Sequence, residues 1–591
     1  MMYDVTRFDG GVHLTGVCHL TPDIFGGSVT TCPAQARAPP QRAFDEPVLP
    51  HHVGRGGGPH CTCVPSHGIV DEHPHSSEHL HPLPRPAHAL PGGCPRFPSR
   101  RADRTRTSES PVMTEPVSVH TPTMPRLAPW LAEVRALGKL AMPLAATQLA
   151  QMAMVTTDLV MIGRLGETPL AAAALGSTLW VFGWLVGHGP AAAVAPIVAQ
   201  LVGARPWDRA QARACVRMGL WAVALLVPPL ALFFAMAEPL LRFTGQSPAL
   251  AALAAPYVYT LAGGLPFAFG FMVLRSFATA LSRPRAPMYI VTAMIAVNLL
   301  GNYVFVFGHF GAPALGLVGS GIASALANAL SFFAMLAVVL TMPPFLSYRL
   351  WRHFLRPDWA QLKELVGLGL SIGLAMVFEV MLFSAATLMM GRLGTAPLAA
   401  HQIALNVPSI TFMVPLGIGM AATIRVGLAA GVHNRTGVRR AGLTAMAVGG
   451  AVMMVFALGM ALCAHAIAEL YLPATPDTAE ALALTVRFLR VAAAFQLFDG
   501  LQVIGANALR GLKDARLPML LAGGAYWLVG FPLALFLGFG LHGQGVGIWL
   551  GLACSLAVAA VAMSLRFAYV TSLQQWSKAD APGWRGPTAT C

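Results

Sequence analysis

From Leu140 to Phe567, apolar runs of about 20 or more residues alternate with short polar breaks. About 20 helical residues at 1.5 Å each cross the roughly 30 Å hydrocarbon core of a bilayer. The pattern predicts twelve membrane helices, near 140–162, 171–202, 216–237, 250–281, 287–308, 316–342, 365–390, 398–429, 441–467, 482–509, 517–540 and 545–567. Several runs contain Pro or Gly, which spanning helices tolerate where neighbours re-satisfy the backbone. The expected fold class is all-α integral membrane.

Composition points the same way. Of 591 residues, 55% are hydrophobic and 11% charged, with a mean hydropathy of +0.61. A soluble globular chain carries about 25% charged residues. A water-soluble enzyme and a wholly disordered chain are both excluded. The formal net charge is +14. Residues 1–112 hold ten Lys/Arg and ten Asp/Glu, so the surplus belongs to 113–591. On a hydrophobic body, such a surplus marks cytoplasmic loops rather than a nucleic-acid partner. None of Lys139, Lys363, Lys513 and Lys578 precedes Ser or Thr, so no P-loop for ATP is present.

The loop charges test the helix count. The even breaks carry Arg205, Arg209 and Arg213; Arg283 and Arg285; Arg349, Arg352, Arg356 and Lys363; Arg435, Arg439 and Arg440; and Arg510, Lys513 and Arg516. The odd breaks carry Arg164, Arg242 and Arg392, with Arg487 and Arg490 as an exception at the start of the tenth run. By the positive-inside rule, both termini are expected in the cytoplasm and the protein in the inner (plasma) membrane. The expected organisation is a cytoplasmic segment at 113–138, a first lobe at 139–342 and a basic linker at 343–364. A second lobe at 365–567 and a cytoplasmic tail at 568–591 complete it.

Residues 1–112 are rich in Pro, Gly, His and Arg and have no periodic apolar face. Cys61 and Cys63 sit among histidines, but their spacing fits no tetrahedral zinc pattern, and no apolar signal core is present. The segment is read as a disordered or non-native extension, with Met113 as the expected start. Cys215, Cys463, Cys554 and Cys591 are scattered and imply no disulfide framework.

The stretch Met161 to Ala172 recurs, with few changes, from Met389 to Ala400, an offset of 228. Gly319, Gly321 and Ile322 recur as Gly545, Gly547 and Ile548, and Arg285, Pro287 and Met288 as Arg516, Pro518 and Met519. The chain therefore reads as two six-helix halves. Six is even, so both halves enter from one side and are related by an axis along the membrane normal. A monomer already supplies an interface between halves.

Three acids lie inside apolar runs: Asp158, Glu379 and Asp499. Burying an ionisable group at helix centre costs roughly 2.5–3.5 kcal/mol on insertion scales. With no Lys or Arg expected at comparable depth, the acids are read as binding a cation or proton in a water-accessible cavity. Asn298 and Asn302, at i and i+4, share a helix face and are expected to present amide oxygens to an ion held with Asp158. Ser320 or Ser324 of the sixth run joins them, and no structural metal is expected beyond a Na⁺ there. Phe378 and Phe383 flank Glu379, and Phe495 precedes Asp499 by one turn. Aromatic rings beside an unpaired carboxylate suit an organic cation, although such rings more often serve packing. Gln402 is a further cavity-lining candidate, and His401 a weaker one that more often proves structural.

Together these residues resemble the multidrug and toxic compound extrusion (MATE) family, in its NorM-like bacterial branch. The resemblance rests on Asp158 to Gly163, on Asn298 and Asn302 followed by Gly308 to Gly316, and on Glu379 to Phe383. Ala399 to Asn406 and Ile424 to Gly427 extend it. It runs from about residue 138 to 567. It implies a secondary antiporter that exports organic cations in exchange for Na⁺ or H⁺, without a cofactor. It also implies Asp158, Asn298 and Asn302 as a first-lobe cation site, and Glu379 and Asp499 as second-lobe acids. Phe495 stands where some relatives carry Tyr, which removes a hydroxyl. A flippase for lipid-linked polysaccharide precursors is the alternative within the superfamily, and it is expected to line its cavity with several Arg or Lys. A membrane enzyme would need a cluster such as Asp-Asp-x-x-Asp, which the chain lacks.

Overall fold

The computed structural model describes residues 128–472 and 475–572. The expectations for 1–112, for most of 113–138 and for most of the tail lie outside them. Every element in the described residues is helical. Hydrocarbon offers no partner for a free N–H or C=O, so the backbone satisfies itself within each helix. The spanning helices are α1 Ala128–Gly163, α2 Glu167–Ala204, α3 Arg209–Ala235, α4 Pro248–Ala280, α5 Arg285–Phe307 and α6 Leu317–Thr341. They continue as α7 Trp359–Leu393, α8 Thr395–Gly431, α9 Arg435–Leu462, α10 Ala479–Gly511, α11 Arg516–Gly540 and α12 Gln544–Ser572. Eleven of these are long and apolar enough to cross a membrane. The twelfth, α1, is as long but carries Gln148, Gln151, Thr156, Thr157 and Asp158.

The duplication is visible in detail. A short helix follows α3 (Ala237–Phe243) and another follows α9 (Ala464–Tyr471). Asp208 caps α3 by accepting from the Ala210 N–H at 3.1 Å. At the equivalent place Asn434 caps α9, accepting from the Gly437 N–H at 2.8 Å. A side-chain oxygen before the first turn satisfies one of the free N–H groups there. Stretches Ala525–Gly530 and Phe536–Gly540 of α11 are π-helical. The wider turns occur where Gly530 and Gly538 bring α11 against Ser555 and Ile548 of α12.

The two lobes meet where α1 packs on α8 and α2 packs on α7 and α8. The seam is made of glycines, because any side chain would hold the backbones apart. A Cβ on Gly189 would lie 2.1 Å from the Gly369 oxygen, and one on Gly203 would lie 2.3 Å from the Leu428 oxygen. One on Gly417 would lie 2.5 Å from the Ala145 nitrogen. Gln200 donates its side-chain N–H to the Gly511 carbonyl at 2.8 Å, and Arg425 of α8 pairs with Glu133 of α1. Leu137, Leu140 and Leu144 of α1 bury themselves against Ile418, Ala422 and Ile424 of α8. All these contacts lie in the halves of α1, α2, α7 and α8 nearer the arginine-rich loops.

The basic linker is tied to the first lobe through α3. Arg217 donates to the His353 carbonyl at 2.8 Å, and the Trp221 indole N–H donates to the Phe354 carbonyl at 3.1 Å.

Candidate functional site

The acids fall into two sites, one per lobe. In the first lobe, Gly319 allows α6 to approach α5 closely, since a Cβ there would lie 2.3 Å from the Phe305 oxygen. The approach brings Ser324 to the face of α5 that carries Asn298 and Asn302. Both amides are fully buried. Asp158 enters from α1 and accepts from Asn302 Nδ2 at 2.7 Å and from Ser324 Oγ at 2.5 Å. Asn298 Nδ2 donates to Ser324 Oγ at 3.3 Å. All four residues expected at this site are thus in one network. Hydrogen bonds to a charged group contribute about 1.5–3 kcal/mol each, which offsets the burial of the carboxylate.

The orientation differs from the expected one. The amide of Asn302 turns its nitrogen toward Asp158, because an ionised carboxylate only accepts. The Asn302 Oδ1 and the Ser320 hydroxyl are buried without partners. The free Asn302 oxygen belongs to an amide already bonded to the carboxylate, and an oxygen acceptor so placed is the chemistry a hard cation needs.

In the second lobe, a crevice of about 20 Å³, room for about one water, runs between α7, α10, α11 and α12. Ser371, Ile372, Ala375 and Glu379 form its α7 wall, and Gln502, Ala506 and Arg510 form its α10 wall. Pro518, Met519 and Ala522 of α11 and Met563 of α12 close it. Asp499 sits one turn beyond Gln502 on the same face of α10, 6% exposed, and its Oδ1 is buried with no hydrogen-bond partner. Gln502 Nε2 is held by the Tyr526 hydroxyl of α11 at 2.8 Å. Buried polar atoms in folded proteins are nearly always satisfied, so an unpaired carboxylate oxygen in an apolar lobe calls for an explanation. Among the described residues, Asp158, Glu379 and Asp499 take part in no ion pair; the carboxylates that do are Glu133, Glu238, Glu364, Glu469 and Asp514.

The aromatic residues take a different place from the one their spacing suggested. Phe495 is 2% exposed, with its ring edge-on to Phe383 at 6.0 Å and to Trp549 at 5.6 Å. Phe378 leans on Gly523 of α11. None of the three borders the crevice. In this arrangement they pack against neighbouring helices. His401 is fully buried, with Nε2 3.2 Å from the Thr387 hydroxyl and its ring edge-on to Trp549 at 5.5 Å. Its Nδ1 is buried without a partner. Gln402, one residue on, is exposed on α8.

The expectation of no basic group at depth is corrected. Arg275 of α4 is 5% exposed and donates to Gln148 Oε1 at 3.1 Å and to Gln151 Oε1 at 3.0 Å. Arg510 borders the same crevice as Glu379. Reading the sequence for acids inside apolar runs passed over Arg275, which the same criterion would have found. Arg510 was missed because it ends α10 and reads as a loop charge.

The sequence pattern of the MatE family matches residues 143–304 and 371–536, one segment in each lobe. A probable multidrug resistance protein NorM of Mesorhizobium japonicum is 44% identical over 440 residues, covering 74% of this chain and 94% of that protein. A protein of the same name from Pseudomonas aeruginosa is 40% identical over 446 residues, covering 75% and 91%. The fold is that of the eukaryotic MATE transporter AtDTX14, with a TM-score of 0.67 at 22% identity over 76% of this chain and 97% of that one. The Vibrio cholerae MATE transporter VcmN superposes with a TM-score of 0.67 at 18% identity, over 76% and 99%. On this evidence the chain belongs to the MatE family.

Proposed function

We propose that the protein is a secondary active multidrug efflux antiporter, exporting organic cations in exchange for Na⁺ or H⁺. One observation carries the reading: acids stand inside apolar spanning helices without a basic ion-pair partner, and Asp499 keeps a buried oxygen unbonded. A site poor in compensating charge attracts a positive guest. Asp158, Asn298, Asn302 and Ser324 hold the coupling cation in the first lobe. Glu379 and Asp499 accept either that cation or the cargo in the second. Coupling requires only that the two guests exclude each other, so that each lowers the other's affinity by the same factor.

One-for-one exchange of a singly charged cargo for Na⁺ or H⁺ moves no net charge and draws on the ion's concentration gradient, whereas a unit of net charge moving inward through about 100 mV adds roughly 2.3 kcal/mol. The arginine-rich loops support a reading in which both termini lie in the cytoplasm and the inner membrane holds the protein. In that orientation the glycine seam and the Glu133–Arg425 pair close the cytoplasmic side. The chain acts as a monomeric carrier rather than an enzyme, since its two lobes supply the moving interface. A flippase for phosphate-bearing lipids would meet its cargo with several basic groups, whereas the second-lobe crevice sets one arginine against a carboxylate.

Everted membrane vesicles offered ethidium in the outer medium, given a Na⁺ gradient and a pH gradient in separate trials, test the proposal. Transport of ethidium driven by one of the two gradients supports it. Transport that ignores both and requires ATP overturns it.

A further inference from the structure

Arg510 is the charged group on the second-lobe crevice that the exchange scheme leaves without a task. Asp499, Gln502, Ala506 and Arg510 follow one another at spacings of three and four along α10, so they share one face. Across the crevice, Ser371, Ala375 and Glu379 share a face of α7 by the same spacing. Two other basic groups at this end of the lobe have carboxylate partners: Lys513 with Glu364 at 2.7 Å and Arg566 with Asp514 at 2.9 Å. Among the described residues Arg510 has no carboxylate in ion-pair contact, and its side chain bonds only to Asn507 Oδ1, at 3.4 Å.

The other lobe shows the uncharged version of this arrangement. At the offset of 228, Gln151 is the counterpart of Glu379, and Gln151 accepts from Arg275. There an arginine rests on neutral amides. In the second lobe the amide has become a carboxylate, and the arginine comes from one turn further along the equivalent helix.

We propose that Arg510 is a specificity-determining residue that sets how much positive charge the second-lobe site accepts. The proposal rests on the reading of Glu379 and Asp499 as cation-binding acids. Ionised, the two carry two negative charges, and the fixed guanidinium cancels one of them. In the arrangement seen, with room for about one water, the remainder is matched by one proton or one Na⁺, and a singly charged organic cation takes their place when the lobe opens. Glu379 and Arg510 line the crevice and Asp499 is buried one turn beyond its Gln502 wall, so water and salt screen these charges weakly and the count governs which guest is favoured. Without Arg510 the acids present two uncompensated charges and favour a dication.

The test is equilibrium dialysis of the purified full chain with two probes, singly charged tetraphenylphosphonium and doubly charged methyl viologen. Asp499→Asn alone leaves no net charge and loses tetraphenylphosphonium binding; if it binds as wild type, the acid-site reading itself fails, separately from the role of Arg510. Arg510→Gln shifts the affinity ratio of the two probes toward methyl viologen by about tenfold or more, the factor that 1.4 kcal/mol gives. The double variant Asp499→Asn with Arg510→Gln restores one negative charge, and it regains the tetraphenylphosphonium binding that Asp499→Asn lost. A merely structural arginine yields no such rescue. An unchanged probe ratio in Arg510→Gln, or a folded double variant as weak as Asp499→Asn, overturns the proposal. Should Arg510→Gln fail to fold, Arg510→Lys decides, because it keeps the charge: a ratio within about threefold of wild type supports the charge count, and a larger shift overturns it.

Discussion

Arg425 of α8 grips Glu133 of α1 at two points, from Nε to Oε1 at 2.8 Å and from Nη2 to Oε2 at 2.6 Å. The pair joins the two lobes through the planar fork geometry that makes arginine–carboxylate pairs specific. Both side chains are partly buried, at 23% and 11% exposed. Breaking a pair in such a setting costs about 1–3 kcal/mol, between the surface and buried limits. Glu133→Gln therefore loosens the seam on the arginine-rich side. With all nine native cysteines replaced, a cysteine at position 145 becomes labelled by maleimide faster in the Glu133→Gln background. Exchanging the two charges, Glu133→Arg with Arg425→Glu, slows the labelling again.

The glycine seam makes a sharper prediction. A Cβ on Gly189 meets the backbone oxygen of Gly369, which has no side-chain freedom with which to yield. Gly189→Leu costs about 1–3 kcal/mol or more in the closed arrangement, as overpacking does in a dense core. Drug efflux from cells falls by about tenfold or more, with the protein still present in the membrane. Gly138→Ala is the control, since a Cβ there meets nothing within 4 Å.

Much of this was legible beforehand. The lengths of the apolar runs gave the helices, and the charge alternation kept the count at twelve even though α1 is less apolar than the rest. Asp158, Asn298, Asn302 and Ser324 were recoverable because each is a polar residue in an apolar run, and the structure joins them. The facing of Asn302 was not recoverable, since an amide presents either end and only the neighbouring carboxylate decides. Phe378, Phe383 and Phe495 lie outside the crevice, since nearness in sequence to an acid does not say which side of the helix meets it. Arg510 escaped because a long side chain at a helix end reaches back into the lobe.

The first-lobe network predicts a graded response. Ser324→Ala removes the hydroxyl that donates to Asp158 Oδ2. The loss of a hydrogen bond to a charged group, about 1.5–3 kcal/mol, weakens apparent affinity for the coupling ion by about ten- to a hundredfold. Ser324→Thr keeps the hydroxyl and loses less. Titration of drug efflux against Na⁺, and separately against pH, reads the change.

The central claim is that Glu379 and Asp499 carry the exchange. The most direct measurement is ethidium transport by the purified protein in liposomes, under whichever ion gradient drives the wild type, for Glu379→Gln and Asp499→Asn. The account predicts transport at the level of empty liposomes in both variants, with wild-type helical content by circular dichroism. Wild-type exchange by both variants would contradict it.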